Sequence, residues 1–216
     1  MKLISVNIAM PEMISIKKVN VLTGINKSPQ IGRIWLGKNN LTGDGQADLA
    51  VHGGEFQAAY CYPLEHYAYW QQVLDKAYLP YGTFGENFTT TGLNEENTYI
   101  GDMLAIGDSI VQVTMPRTPC FKFGHKVSKP DILNEFLYSG RCGFYLKVIT
   151  EGMVGAEDQI TLIERDPQSI SIRSALGLQK LQEGNAQTLQ HALAIKSLPP
   201  LLRDVFNERI INGMSA

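Results

Sequence analysis

From residue 1 to about 165, apolar and β-branched residues come in short runs, each closed by glycine, proline or Asn/Asp. Residues 31–36, 58–62, 88–91, 110–114, 144–149 and 159–164 carry the branched and aromatic side chains that suit a pleated, half-buried surface, and each predicts a strand. Residues 103–106 and 110–114 flank Gly107-Asp108-Ser109, which predicts a hairpin. Two stretches of helical spacing break the series. One spans 64–76 after Pro63; the other spans 132–138 after Pro130, with Ile132, Leu133, Phe136 and Leu137 on one face. Many short strands with frequent turns predict a closed or nearly closed β-barrel.

The pattern changes after Asp166-Pro167. Residues 174–182, 186–196 and 201–211 read as short amphipathic helices, the second capped by Gly184-Asn185 and the third opened by Pro199-Pro200. Leu201, Leu202, Val205, Phe206 and Ile210 form an apolar stripe on the third. The expected organisation is a β-barrel domain over 1–165 and a three-helix extension over 166–216, an α+β chain in total. An extension of that size is too small to hold its own core and should dock on the barrel or on a second subunit, which points to a homodimer.

Composition adds exclusions. The 216 residues are 44% hydrophobic and 19% charged, with no apolar run long enough to cross a bilayer. A formal net charge of -2 offers no basic face for a nucleic-acid polymer. The opening Met1-Lys2-Leu3-Ile4-Ser5 lacks the apolar stretch of a signal peptide, so a cytoplasmic location is expected.

The chemistry centres on three cysteines. Cys61, Cys120 and Cys142 are odd in number and widely spaced, which argues against disulfides or a structural zinc site. Cys61 and Cys142 sit in strand-like runs and read as buried small hydrophobes. Cys120 follows Pro116-Arg117-Thr118-Pro119, a loop stiffened by two prolines. Arg117 precedes it by three residues, Lys122 follows by two and His125 by five; nearby cations favour the thiolate, which is both nucleophile and metal ligand. Cys120 is therefore a metal-ligating or sulfur-carrying thiol, or else a structural cysteine under a turn.

Two further constellations stand upstream. In Asp44-Gly-Gln-Ala-Asp48-Leu-Ala-Val-His52-Gly53-Gly54, the paired glycines permit positive φ and expose backbone N–H groups to an anion. His52 could donate to a phosphate, ligate a metal or orient a neighbour, or serve as a hydrogen-bonded structural residue. Asp44 and Asp48 read as residues that hold the loop. In Gly85-Glu86-Asn87 the Asn87 amide offers both donors and an acceptor, as a pterin or purine edge requires, although the tripeptide is also an ordinary turn.

Together these elements resemble the MOSC family, through Gly43-Asp44-Gly-Gln-Ala-Asp48, Val51-His52-Gly-Gly54, Phe84-Gly85-Glu-Asn87, Tyr99-Ile-Gly-Asp102 and Pro116-Arg117-Thr-Pro-Cys120. The match covers about residues 30–165, and the tail resembles the helical extension of the YiiM-type branch. The resemblance implies a closed β-barrel that binds molybdenum cofactor, with Cys120 as the molybdenum ligand or a persulfide carrier. It further implies that His52, Gly53, Gly54, Asn87, Arg117 and Lys122 bind the cofactor. The implied activity is reduction of N-hydroxylated compounds, including hydroxylaminopurines and amidoximes. The alternative it leaves is a sulfur or cofactor carrier. Electrons would come from a separate flavoprotein or ferredoxin-like donor, since the chain carries neither an Fe–S cysteine set nor a dinucleotide-binding fingerprint. It also lacks the pyridoxal-phosphate domain of the sulfurases, and no haem or flavin is expected. One departure is Glu55-Phe56-Gln57, where many relatives place Pro-Asp and then a basic residue. Phe88, Phe121 and Phe123 are candidates to stack on a planar substrate, or core residues.

Overall fold

The computed structural model describes residues 1–47 and 53–213. Twelve strands appear among them: β1 (Lys2–Ile8), β2 (Glu12–Ile16), β3 (Val19–Thr23), β4 (Ser28–Pro29), β5 (Arg33–Leu36), β6 (Ala59–Pro63), β7 (Phe88–Thr91), β8 (Met103–Ile106), β9 (Ser109–Pro116), β10 (Phe144–Thr150), β11 (Gly152–Gly155) and β12 (Ile160–Glu164). Six helices accompany them: α1 (Tyr67–Val73), α2 (Phe121–Lys126), α3 (Ile132–Tyr138), α4 (Ile172–Lys180), α5 (Ala186–Ala194) and α6 (Pro200–Gly213). The chain is α+β, as the pattern predicts.

Eight strands form one sheet in the order β12-β8-β9-β10-β6-β7-β1-β4, while β5 pairs with β11 and β2 with β3. Only β6 and β7 run parallel within the large sheet; the other pairs are antiparallel. This order is open, with β12 and β4 at its edges, so the expected closed barrel is not what the strand pairing forms. The reason lies in β1. Its far end, Asn7 and Ile8, is taken by β4, which leaves only its first residues for the opposite edge. There a single Lys2–Gln159 bridge forms, with Leu3 N donating to Asp158 O at 2.9 Å.

Alternation sets the inner face. Leu104 and Ile106 on β8, Val111 and Val113 on β9, and Leu146 and Val148 on β10 are all buried, as period-2 patterning requires. The helix expected over 64–76 is shorter: a 3-10 turn at Leu64–His66 leads into α1. Trp70 of α1 and Phe136 of α3 stack at 5.2 Å over Phe84 and Tyr62, forming an aromatic cluster beside β6.

The C-terminal helices pack on the sheet and share its core, since Ile172, Leu176, Leu202 and Phe206 belong to the same buried apolar cluster as Val111 and Leu146. Main-chain bonds tie them in: Ile172 N donates to Thr98 O at 2.8 Å and Arg173 N to Glu95 O at 2.9 Å. Asn185 caps α5 in a reciprocal box with Thr188. The apolar stripe on α6 finds its cover within the chain, with Leu202 and Phe206 fully buried and Leu201 left exposed.

Candidate active site

Strand β9 ends at Pro116 and releases Arg117-Thr118-Pro119-Cys120 before α2 begins. Sequence patterning shows the loop but not the helix, so Cys120 is the residue preceding a helix rather than the middle of an exit loop. It is extended (φ -123°, ψ 167°), and its carbonyl accepts from Phe123 N at 3.0 Å. Arg117 is fixed from behind by its own N–H, which donates to Gly143 O on the approach to β10 at 3.2 Å.

The Arg117 side chain turns inward. It is buried, with its guanidinium carbon 5.2 Å from the Tyr60 ring centre, 5.0 Å from Phe123 and 5.1 Å from Phe136. These rings satisfy its charge through their faces, yet its Nη1 has no hydrogen-bond partner. Burial works against the charge, but Tyr60, Tyr145 and Cys120 outweigh it, so the guanidinium is held above its ordinary range. A buried N–H without a partner is costly, so native structures rarely keep one unless a ligand or ion completes it.

Arg117 and Cys120 open onto a cavity of about 130 Å³ that also meets Lys27, Asp44, Gly53, Gln57, Asn87, Lys122 and Tyr145. Among the described residues, three cations, Lys27, Arg117 and Lys122, line it against one carboxylate, Asp44. The cavity therefore favours an anion. Cys120 is partly exposed, whereas Cys61 and Cys142 are buried, as their strand context predicts. Burial pushes the Cys61 thiol up to about 12 and the Cys142 thiol well above its usual value.

The other expected site residues are divided. Gly53 lines the cavity at φ 145°, and Gly54 has φ 81°, a conformation glycine adopts without a Cβ penalty. His52 lies outside the described residues. Lys122 reaches the rim and donates to Leu22 O at 3.3 Å. Asn87 lines the cavity, but its amide is already engaged. Nδ2 donates to Asn7 O at 3.2 Å and to Asp44 Oδ2 at 2.9 Å, while Oδ1 accepts from Tyr60 N at 3.1 Å. Its place is in the wall, holding Asp44, rather than reading a ligand's edge. Asp44 ties the start of its loop to neighbouring segments, accepting also from Ala9 N at 2.9 Å and from Lys27 Nζ, and Asp48 lies outside the described residues. Of the three phenylalanines, Phe88 and Phe123 are core, and Phe121 is exposed.

Glu55 does not face the cavity. It pairs with Lys147 at 2.9 Å, and Lys147 lies 4.7 Å over the Phe56 ring. Its charge is thereby met locally. The sequence reading overlooks Lys27, Tyr60 and Tyr145. Tyr60 and Tyr145 are direct cross-strand partners, which the alternation of Phe144, Leu146 and Val148 could have revealed by placing Tyr145 on the opposite face. Lys27 carries no such signal, because it sits in the loop between β3 and β4.

Among the described residues no three His, Cys, Asp or Glu side chains cluster as a metal cage. A metal at Cys120 would draw most of its ligands from a cofactor. The model of the MOSC domain matches residues 48–161. The chain belongs to the MOSC family. Its relatives place it in the YiiM-type branch. It is 34% identical over 206 residues to the uncharacterized protein YflK of Bacillus subtilis, covering 95% of this chain and 93% of that one. The crystal structure of YiiM from Geobacillus stearothermophilus superposes with a TM-score of 0.82 at 30% identity, covering 97% of this chain and 98% of that one. A protein named reductase from Gibberella moniliformis is 29% identical over 195 residues, which is 88% of this chain and 34% of that longer protein.

Proposed function

We propose that this MOSC protein reduces N-hydroxylated compounds, hydroxylaminopurines and amidoximes among them, with bound molybdenum cofactor and electrons from a separate flavoprotein or ferredoxin-like donor. The observation that carries the reading is the buried Arg117 guanidinium, with an unpartnered N–H, three residues from the partly exposed Cys120. The donor set suits the cofactor: a soft thiolate for molybdenum, and Arg117, Lys122 and the Gly53-Gly54 backbone for negative charge. The fungal relative's name, reductase, supports the same class of reaction.

When bound, the cofactor supplies two-electron chemistry at the metal. The chain supplies the rest. Cys120 Sγ fixes the metal, Arg117 and Lys122 neutralise the anion, and the Tyr60–Tyr145 wall limits water. No helix among the described residues is long and apolar enough to cross a membrane, and a cytoplasmic setting suits a detoxifying reductase.

The test is expression in cells that make molybdenum cofactor, followed by metal and pterin analysis and assays on hydroxylaminopurine and benzamidoxime. Near-stoichiometric molybdenum and turnover, both lost in Cys120→Ala, is the expected result. Metal-free protein with a persulfide mass shift on Cys120 would overturn the reductase in favour of a sulfur carrier.

A further inference from the structure

The reduction consumes protons as well as electrons, and the residues in contact with the cavity include one group placed to supply them. In R–NH–OH + 2e⁻ + 2H⁺ → R–NH₂ + H₂O, the N–O bond breaks. Nitrogen keeps an electron pair and takes one proton, and the departing oxygen takes the other. Arg117 cannot give a proton at neutral pH because guanidinium does not deprotonate there. Lys122 lies at the rim, tied to Leu22 O.

Lys27 differs from both. Its side chain lines the cavity, is only 9% exposed and is ion-paired with Asp44, itself 3% exposed. Asp44 is in turn oriented by Ala9 N and by Asn87 Nδ2, each at 2.9 Å. An ammonium has three N–H bonds, and among the described residues Asp44 is the acceptor assigned to Lys27. We propose that Lys27 is the acid of this site, with Nζ protonating the oxygen that leaves as water, and that Asp44 positions it. The inference rests on the proposed reductase function.

The surroundings suit the task. Burial lowers the proton affinity of Lys27, partly countered by Asp44 and by the buried Glu86. Lys126, on α2, does not line the cavity; its Nζ is bound to Ile25 O and Gly82 O, and the charge on Lys27 lowers the proton affinity of Lys126. Arg117, Cys120, Lys122, Tyr60 and Tyr145 line the same cavity. A lysine made more acidic by burial gives up a proton readily and recovers it from solvent.

Wild type, Lys27→Arg and Lys27→Met are compared after purification from cells that make molybdenum cofactor. Reduced methyl viologen serves as electron source and benzamidoxime as substrate, with molybdenum content measured on each sample. Lys27→Arg keeps the cation and the Asp44 pair, so it should retain molybdenum while losing about 100-fold or more in turnover, the usual scale for a general acid. Separately, acetic anhydride labelling of the purified chain across pH, read by peptide mass, should give Lys27 a lower midpoint than the exposed Lys17 and Lys18. An active wild type with Lys27→Arg within about twofold of it would overturn the inference alone, taking general-acid losses of ~10²-fold as the yardstick. A labelling midpoint at or above that of Lys17 would do the same. A molybdenum-loaded wild type without turnover would overturn the reductase reading and this inference with it.

Discussion

Asn87 Nδ2 donates to Asp44 Oδ2 at 2.9 Å, joining the turn before β7 to the loop after β5 across 43 residues of sequence. The same amide holds Asn7 O and Tyr60 N, so one side chain bonds to three separate segments beneath the cavity. Replacing Asn87 by Ala would strand a buried carboxylate oxygen, a carbonyl and an N–H. At ~1–3 kcal/mol for a buried unsatisfied group, partly relieved by water, a loss of about 3 kcal/mol is expected. A urea midpoint unchanged from wild type would show that the clamp is dispensable.

The three thiols should separate by access. Cys61 and Cys142 are buried and their thiols are pushed up, whereas Cys120 is partly exposed beside Arg117. Iodoacetamide on the folded chain at neutral pH should modify Cys120 alone, with the other two reacting only after denaturation. Peptide mapping that finds Cys61 or Cys142 labelled in folded protein would contradict their burial.

Much of this was legible in the sequence, and what was not has physical causes. Residues 88–91 and 132–138 form the strand and helix that composition and spacing predict, because each is a local pattern facing one core. Helix α2 escaped notice because Phe121-Lys-Phe-Gly-His-Lys126 is short and contains a glycine. Barrel closure cannot be read locally, since it depends on which strand claims the far end of β1. The site was visible where rigid, unusual chemistry clusters, as at Arg117 and Cys120. It was invisible at Lys27, whose meaning comes from a carboxylate 17 residues away.

Glu55 directly follows Gly53-Gly54, and its partner is Lys147 rather than the cavity. Both side chains are partly exposed, so the pair contributes little. Glu55→Gln should therefore shift stability by less than about 0.5 kcal/mol and leave molybdenum content unchanged. A marked gain in bound molybdenum would mean that the acid opposes the cofactor after all.

Lys126 gives a pH dependence with a definite sign. Burial lowers it from 10.5 to about 8 in the folded chain, with Glu86 opposing and Lys27 and Arg117 adding to the fall. Below pH 8 both folded and unfolded chains carry the proton, and the folded chain bears the cost of a buried charge. Between pH 8 and 10.5 the unfolded chain holds the proton more tightly, so this group's contribution to stability rises with pH. Measured as wild type minus Lys126→Met, stability should increase by about 3 kcal/mol across that window, from 1.36 kcal/mol per pKa unit. A flat or falling difference in urea titrations would show that burial does not lower the proton affinity of Lys126.

Arg117 should show function and stability pulling in opposite directions. Its guanidinium is buried among Tyr60, Phe123 and Phe136, and Nη1 lacks a partner. Without an anion in the cavity, the unpaired Nη1 N–H is a cost to the fold, which the ring faces and the neighbouring Tyr60 and Tyr145 offset. Methionine is of similar length, apolar and flexible enough to fill the same space. Arg117→Met should leave the melting temperature of cofactor-free protein unchanged or higher, because replacing a buried charge by apolar volume is often neutral or favourable. The same substitution should lower the molybdenum content of protein from cofactor-producing cells about tenfold or more, the scale of ~1.5–3 kcal/mol for one lost charge-assisted hydrogen bond. A destabilised variant that still loads molybdenum would reverse the assignment, making Arg117 a structural residue and leaving the anion to Lys27, Lys122 and the glycine backbone.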